Sequence, residues 1–364
     1  MTWIWITDAV GDTTFNLQVS RFKTDGLSAI DPDIVSTVNP DLDGYTNSSA
    51  SAQVRHAFSE AHSLSVSLLD SNGSNQFDNA FGTSTETKYS ESHIQKLALV
   101  AENRLADNWQ SKLQISRGMD DYRDYANGTN STSINSVNHQ LSWQNTWQVA
   151  QDDLLVAGAE RLKQQVSSKT LYTLTDRTDN SVFAGYTGNY GAQQVQLNLR
   201  RDRYTDFGTA DTWLLGYGFE LKPSWRVTAS TSTAFKTPTF NDMHAPSSWG
   251  ANPDLKPEQS RNSELGVHYV AQGQRVDVVY FDNRIRDLIV ADSNWVMQNL
   301  KEAHISGAEL AYQGRFGDTG VRLAATRQNP RDVQTGQTLL RRAKIFSSAA
   351  VTRQYGILNV GGEW

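Results

Sequence analysis

The chain has 364 residues, no cysteine and a net charge of −6. Disulfides and thiolate metal sites are excluded, and the charge balance offers no basic stripe for nucleic acid. No run of about 18 apolar residues occurs, so no helix here spans a bilayer. The polar mean hydropathy of −0.53 still fits a membrane barrel, where only every second strand residue meets lipid.

Residues 1–10, MTWIWITDAV, lack the basic n-region, long apolar core and small-residue cleavage site of a signal peptide. They match nothing downstream and are set apart as an unmatched stretch, of the kind a truncated or misjoined reading frame leaves. Beyond them a period of two dominates. Phe15, Leu17 and Val19 alternate with polar residues, as do Leu64, Val66 and Leu68, then Leu97, Leu99 and Ala101. The pattern returns at Val195, Leu197 and Leu199, along Trp213, Leu215, Tyr217, Phe219 and Leu221, at Val276, Val278 and Tyr280, and at Val321, Leu323 and Ala325. Side chains alternate between the faces of a strand, so each set marks one apolar face. No helical stripe of similar length competes with them.

The connections between these segments are of two kinds. Tight turns are predicted near Ser59-Glu60, Ala106-Asp107, Gln151-Asp152, Gly191-Ala192, Lys222-Pro223-Ser224, Gln272-Gly273, Gly317-Asp318 and Gln354-Tyr355. Long polar loops are predicted at 23–46, 71–88, 120–136, 163–180 and 236–259. The two kinds alternate, as in an outer-membrane barrel with short periplasmic turns and long outer loops. Eight tight turns join sixteen strands, and residues 13–22 add a seventeenth. Each is expected to run about 9–11 residues, enough to cross when tilted. A β-propeller needs four strands per repeat, and a sandwich rarely uses strands and loops this lopsided. The fold class is therefore an all-β, transmembrane antiparallel β-barrel. Trp109, Trp147, Trp225, Tyr269 and Tyr355 lie near the tight turns, where an interfacial aromatic girdle belongs.

Four of the eight prolines fall between residues 238 and 257. The segments STAFKTPTFNDMHAP and NPDLKPEQSRNSELGV that carry them resemble a signature of TonB-dependent outer-membrane receptors. Proline fixes φ and gives no ladder donor, so it stiffens a loop without extending the sheet. YFDNRIRDLI and KEAHISGAELAY look like the two strands that follow in such receptors. DTTFNLQVSRFKTDGLSA, NPDLDGYTN and TLLRRAK look more closely like the cobalamin (vitamin B12) receptors within that family. The resemblance covers residues 11–364. Family barrels have about 22 strands around a plug. The expectation is thus a partial barrel, about 17 of 22 strands, lacking the plug with its TonB contact and the last strands.

The early long loops are rich in carboxylates. Asp25, Asp31, Asp33, Asp41 and Asp43 fall in one, and Asp70, Asp78 and Glu86 in the next. Calcium takes six to eight oxygen ligands, which neighbouring loops can pool; ordinary solvated loop acid is the alternative. The resemblance implies calcium in these two loops, with Asp41 and Asp43 the best matches, then Asp78, then Asp25. It also makes Phe77 a ligand-facing aromatic and Arg341 a contact to cobalamin. Arg341, Arg342 and Lys344 suit the phosphates of lipopolysaccharide at a barrel rim equally well. The seven histidines show no metal spacing, and no nucleophile elbow, zinc motif or phosphate loop appears. The expected function is uptake of cobalamin across the bacterial outer membrane, coupled to TonB and without covalent chemistry. A siderophore receptor is the alternative within the family, and a passive porin or a barrel enzyme the alternative outside it.

Overall fold

A computed structural model describes residues 2–28 and 30–364, the side chains at 300 and 301 excepted. Among the described residues, eighteen strands account for nearly all regular structure. The first half comprises β1 (Thr2–Val10), β2 (Thr13–Thr24), β3 (Tyr45–Ala57), β4 (His62–Gln76), β5 (Lys88–Ala106), β6 (Trp109–Ala126), β7 (Thr129–Ala150), β8 (Asp153–Ser168) and β9 (Asp176–Tyr190). The second comprises β10 (Gln193–Tyr204), β11 (Gly208–Lys222), β12 (Trp225–Lys236), β13 (Glu258–Ala271), β14 (Gln274–Ala291), β15 (Met297–Phe316), β16 (Thr319–Asp332), β17 (Ile345–Tyr355) and β18 (Leu358–Glu363). One short helix, α1 (Phe240–His244), interrupts the loop before β13.

Every strand pairs antiparallel with the next in sequence. Among the described residues no ladder joins β1 to β18. The register aligns the alternating sets across the sheet. Leu99 lies opposite Val66 and Ile115, and Ile115 opposite Leu141. Further round, Leu197 faces Leu215, Val267 faces Val278, and Val278 faces Leu310. These residues form one continuous apolar belt, and many stay exposed although the sheet is complete around them. Alternate positions such as Ser51, Ser67, Gln114, Gln144, Gln196 and Ser230 make the other face polar. A water-soluble fold would bury the apolar belt; a wall between lipid and a wet lumen leaves it outside.

The aromatic girdle forms where expected. Trp109 and Trp147 stack across β6 and β7 at 5.9 Å, and Trp225 packs on Tyr269 across β12 and β13 at 4.9 Å. The indole of Trp109 donates to Asn145 Oδ1 and that of Trp143 to Ser111 Oγ, both at 3.0 Å. Each ring thus keeps its polar edge satisfied at the interface.

Three expectations are corrected. Residues 2–10 are not outside the sheet: β1 pairs along its length with β2 through a turn at Gly11-Asp12, giving eighteen strands among the described residues and a ninth tight turn at the short-turn end. Trp3, Ile4, Trp5 and Ile6 put apolar side chains on both faces, which hides the period of two. Second, residues 120–136 are not a loop. β6 and β7 continue to a two-residue turn at Asn127-Gly128, both with positive φ (50° and 76°), the geometry that Asn-Gly supplies in hairpins. Third, strands reach 22 residues in β7, well past the bilayer. Beyond the lipid both faces are wet, so runs such as DDYRDYA and NSTSINS carry no alternation to mark them as strands.

Candidate functional site

The long-loop end holds the candidate site. The β2–β3 loop folds over the β4–β5 loop around Val38, which is 2% exposed. Asn39 Nδ2 donates to the carbonyl of Glu86 at 3.3 Å, and the Glu86 carboxylate accepts from Asn79 Nδ2 at 2.8 Å. Asp78 is held from the other loop: Ser28 Oγ and the Ile30 amide donate to its Oδ2 at 3.0 and 2.9 Å.

This clasp brings Asp41, Asp43 and Asp78 together, with one oxygen from each within 4.8 Å of the others. Two oxygens on one calcium ion are separated by at most about 5 Å, given bonds of roughly 2.5 Å. The spacing and the all-carboxylate donor set therefore fit calcium, and the three residues that would hold it come from two loops. Gly26 makes the arrangement possible. Its φ is +69°, and a Cβ there would lie 1.9 Å from the Asp43 carbonyl oxygen. Asp25 falls outside the group: it is exposed and lies 3.7 Å from Lys23 Nζ.

Phe77 sits half-buried beside Asp78, with the Lys88 ammonium 5.3 Å from its ring centroid. Arg341 lies elsewhere, exposed in the β16–β17 loop with φ of +56°. The structure does not bring these two side chains into one pocket. Sequence reasoning missed Ser28 and Asn39, the residues that lock the loops; serine and asparagine in a polar loop carry no distinguishing signal.

The proline loop forms a second ordered element. Thr239 caps α1 in a capping box with Asp242. Arg177 Nη1 donates to the carbonyl of fully buried Pro238 at 2.8 Å and lies 3.7 Å from the buried Asp206 carboxylate. The Phe240 ring packs over the same guanidinium at 4.9 Å. His244 is buried beside them; burial pushes its imidazole below the usual range, while the Asp206 charge opposes the shift. The prolines thus close a stiff strap, pinned to the β8–β9 loop by Thr173 N donating to the His244 carbonyl at 2.9 Å.

A girdled antiparallel wall with a clasped, acidic outer loop pair defines an outer-membrane receptor barrel. The chain belongs to the TonB-dependent receptor family: the family model for the TonB dependent receptor-like β-barrel matches residues 6–364, starting inside β1. The family places the protein in the bacterial outer membrane, short turns inward and long loops outward. Among curated proteins it is similar to the vitamin B12 transporter BtuB of Vibrio vulnificus (strain YJ016), 28% identical over 316 residues, covering 84% of this chain and 51% of that protein. The vitamin B12 transporter BtuB of Photobacterium profundum is 27% identical over 279 residues, covering 74% and 45%. The chain spans about half the length of these relatives. Among solved structures, a mutant of the ferric enterobactin receptor PfeA from Pseudomonas aeruginosa gives a TM-score of 0.80 at 14% identity, covering 99% of this chain and 64% of that one. The siderophore receptor PirA from Acinetobacter baumannii gives 0.77 at 16%, covering 96% and 62%. At these identities the structural likeness establishes the fold alone.

Proposed function

We propose that this barrel serves a receptor for cobalamin and captures it through its outer loops once calcium has ordered them. The observation that carries the reading is the convergence of Asp41, Asp43 and Asp78 from two loops. The names of the curated relatives support the same ligand. When bound, calcium neutralises the three carboxylates and fixes the β2–β3 loop on the β4–β5 loop. Phe77, next to Asp78, offers an apolar edge at the loop pair. Arg341 supplies a cation for a ligand that carries amides and a phosphate. Coupling to TonB through a plug domain, with transport and no covalent step, belongs to the same proposal.

The test is calorimetric titration of the receptor, as its host produces it, with cyanocobalamin in calcium and in chelator. Binding that strengthens with calcium supports the reading. Binding of a ferric chelate in place of cobalamin overturns it in favour of a siderophore receptor, and stable open conductance without ligand favours a porin.

A further inference from the structure

On β12 to β14 the lumen face carries a linked hydroxyl, imidazole and carboxylate. Trp225, Val267, Tyr269, Val276 and Val278 belong to the girdle and the apolar belt. Arg226, Thr228, His268 and Asp277 hold the opposite parity on the same strands and therefore face the lumen. His268 lies directly opposite Arg226 on one side and Asp277 on the other. Thr228 Oγ1 lies 2.9 Å from His268 Nε2, and His268 Nδ1 lies 2.7 Å from Asp277 Oδ1. The carboxylate selects the ring tautomer: Nδ1–H donates to Asp277, which leaves Nε2 to accept from the Thr228 hydroxyl. Arg275 Nε donates to the second Asp277 oxygen at 2.7 Å and fixes it. Two further histidine–aspartate pairs, His93–Asp70 and His304–Asp282, have no hydroxyl on the second ring nitrogen among the described residues.

Space is cleared around the hydroxyl. Thr228 is flanked by Gly218 on β11 and Gly266 on β13. A Cβ at Gly266 would lie 2.6 Å from Thr228 Oγ1 and 2.7 Å from His268 Nε2, and one at Gly218 would lie 2.5 Å from Arg226 Nη2. Glycine inside a strand weakens it and marks a close approach by another group. The three linked side chains line a cleft of about 430 Å³ together with Lys222, Arg226 and Arg275. His268 and Asp277 keep 24% and 18% of their side-chain surface exposed, so a solute in the cleft can reach them. The Pro223-Ser224 turn borders the cleft, which places it at the inner mouth, at the opposite end of the wall from the clasped loops.

We propose that Thr228, His268 and Asp277 form a catalytic triad that hydrolyses carboxylic esters at the inner mouth, an activity separate from ligand uptake. A nucleophile within hydrogen-bond reach of a base, itself held by a third group, is the geometry this chemistry needs. Thr228 Oγ1 attacks the acyl carbon while its proton passes to His268 Nε2. The carbonyl oxygen becomes negative beside the Arg226 guanidinium, which stabilises it. The carbonyl then re-forms, the bond from acyl carbon to alcohol oxygen breaks, and the alcohol leaves with the proton from Nε2. Water attacks the resulting Thr228 ester by the same route, which releases the acid and restores the hydroxyl. Asp277 stays ionised throughout and balances the imidazolium.

The test is hydrolysis of p-nitrophenyl acetate by the purified receptor as its host produces it, together with covalent labelling by a fluorophosphonate. The receptor should release p-nitrophenol at a rate that rises with pH as His268 loses its proton. Peptide mass spectrometry should find the label on Thr228. Thr228→Ala and His268→Asn should each lose at least about 100-fold in rate. Thr228→Ser should keep the activity, a rescue that a merely structural threonine would not require. His62→Gln, at the β3–β4 turn of the same mouth, should leave the rate unchanged. Hydrolysis no faster than in detergent buffer, a label on another residue, or an undiminished rate in Thr228→Ala would overturn the proposal. Labelling of the unaltered receptor decides the matter even if a variant does not fold.

Discussion

Replacing Asp78 with asparagine separates a metal site from an ordinary acidic loop. Three carboxylates with oxygens within 4.8 Å repel one another by about 1 kcal/mol per pair in water, and about 3 kcal/mol at an effective dielectric of 20. Asparagine keeps an oxygen for Ser28 and the Ile30 amide but removes two of the three repulsions. The metal-free loop pair should therefore tighten, by about 2 kcal/mol at the aqueous limit. Calcium affinity should fall on the order of 100-fold, because affinity at oxygen sites follows the number of charged ligands. Calcium calorimetry reads the second effect, and hydrogen exchange over residues 25–44 in chelator reads the first. Gly26→Ala should weaken calcium binding without touching a charge, since its Cβ collides with the Asp43 carbonyl. Unchanged calcium affinity in Asp78→Asn, or a looser metal-free loop, would refute the reasoning.

Other predictions concern the strap and the wall. Arg177→Met leaves the Asp206 carboxylate buried with its counter-charge gone, at a cost of about 3–5 kcal/mol; faster proteolysis within residues 237–257 and a lower urea midpoint should follow, and Arg177→Met/Asp206→Leu should recover much of the loss. Because His244 is buried with its pKa lowered, the strap is at full strength above about pH 6.5, the unfolded value, and weakens as pH falls through the lower folded value. Proteolysis of that segment should therefore rise between pH 7.5 and 5, and His244→Phe should flatten the profile. Leu197→Lys, on the lipid face, should cost about 2–4 kcal/mol in vesicles, whereas Asn198→Lys, one residue along on the lumen face, should cost little; equal losses in urea unfolding would contradict the assignment of faces.

Much of the wall was legible because lipid on one side and water on the other impose a period of two that needs no partner to detect. Leu197 and Leu199, or Val276 and Val278, announce their face alone. The pattern fails where that contrast vanishes. In β1, tryptophan and isoleucine occupy both faces, so a strand read as an unmatched stretch. Around Asn127-Gly128 both faces are wet, so polar strands read as a loop, although Asn-Gly was itself a hairpin signal. The acidic site was legible only in part. Asp41, Asp43 and Asp78 were named from charge and resemblance, but their convergence depends on how Ser28 and Ile30 clasp Asp78 from the other loop, which no local spacing encodes.

The central claim is that alternate side chains face lipid and a wet lumen, and the absence of native cysteine allows a direct test. Single cysteines placed at each position from 195 to 200, spin-labelled in the receptor reconstituted in bilayers, should show oxygen accessibility peaking at 195, 197 and 199. Accessibility to a water-soluble nickel chelate should peak at 196, 198 and 200. Profiles without that alternation, or with both parities facing water, would contradict the account.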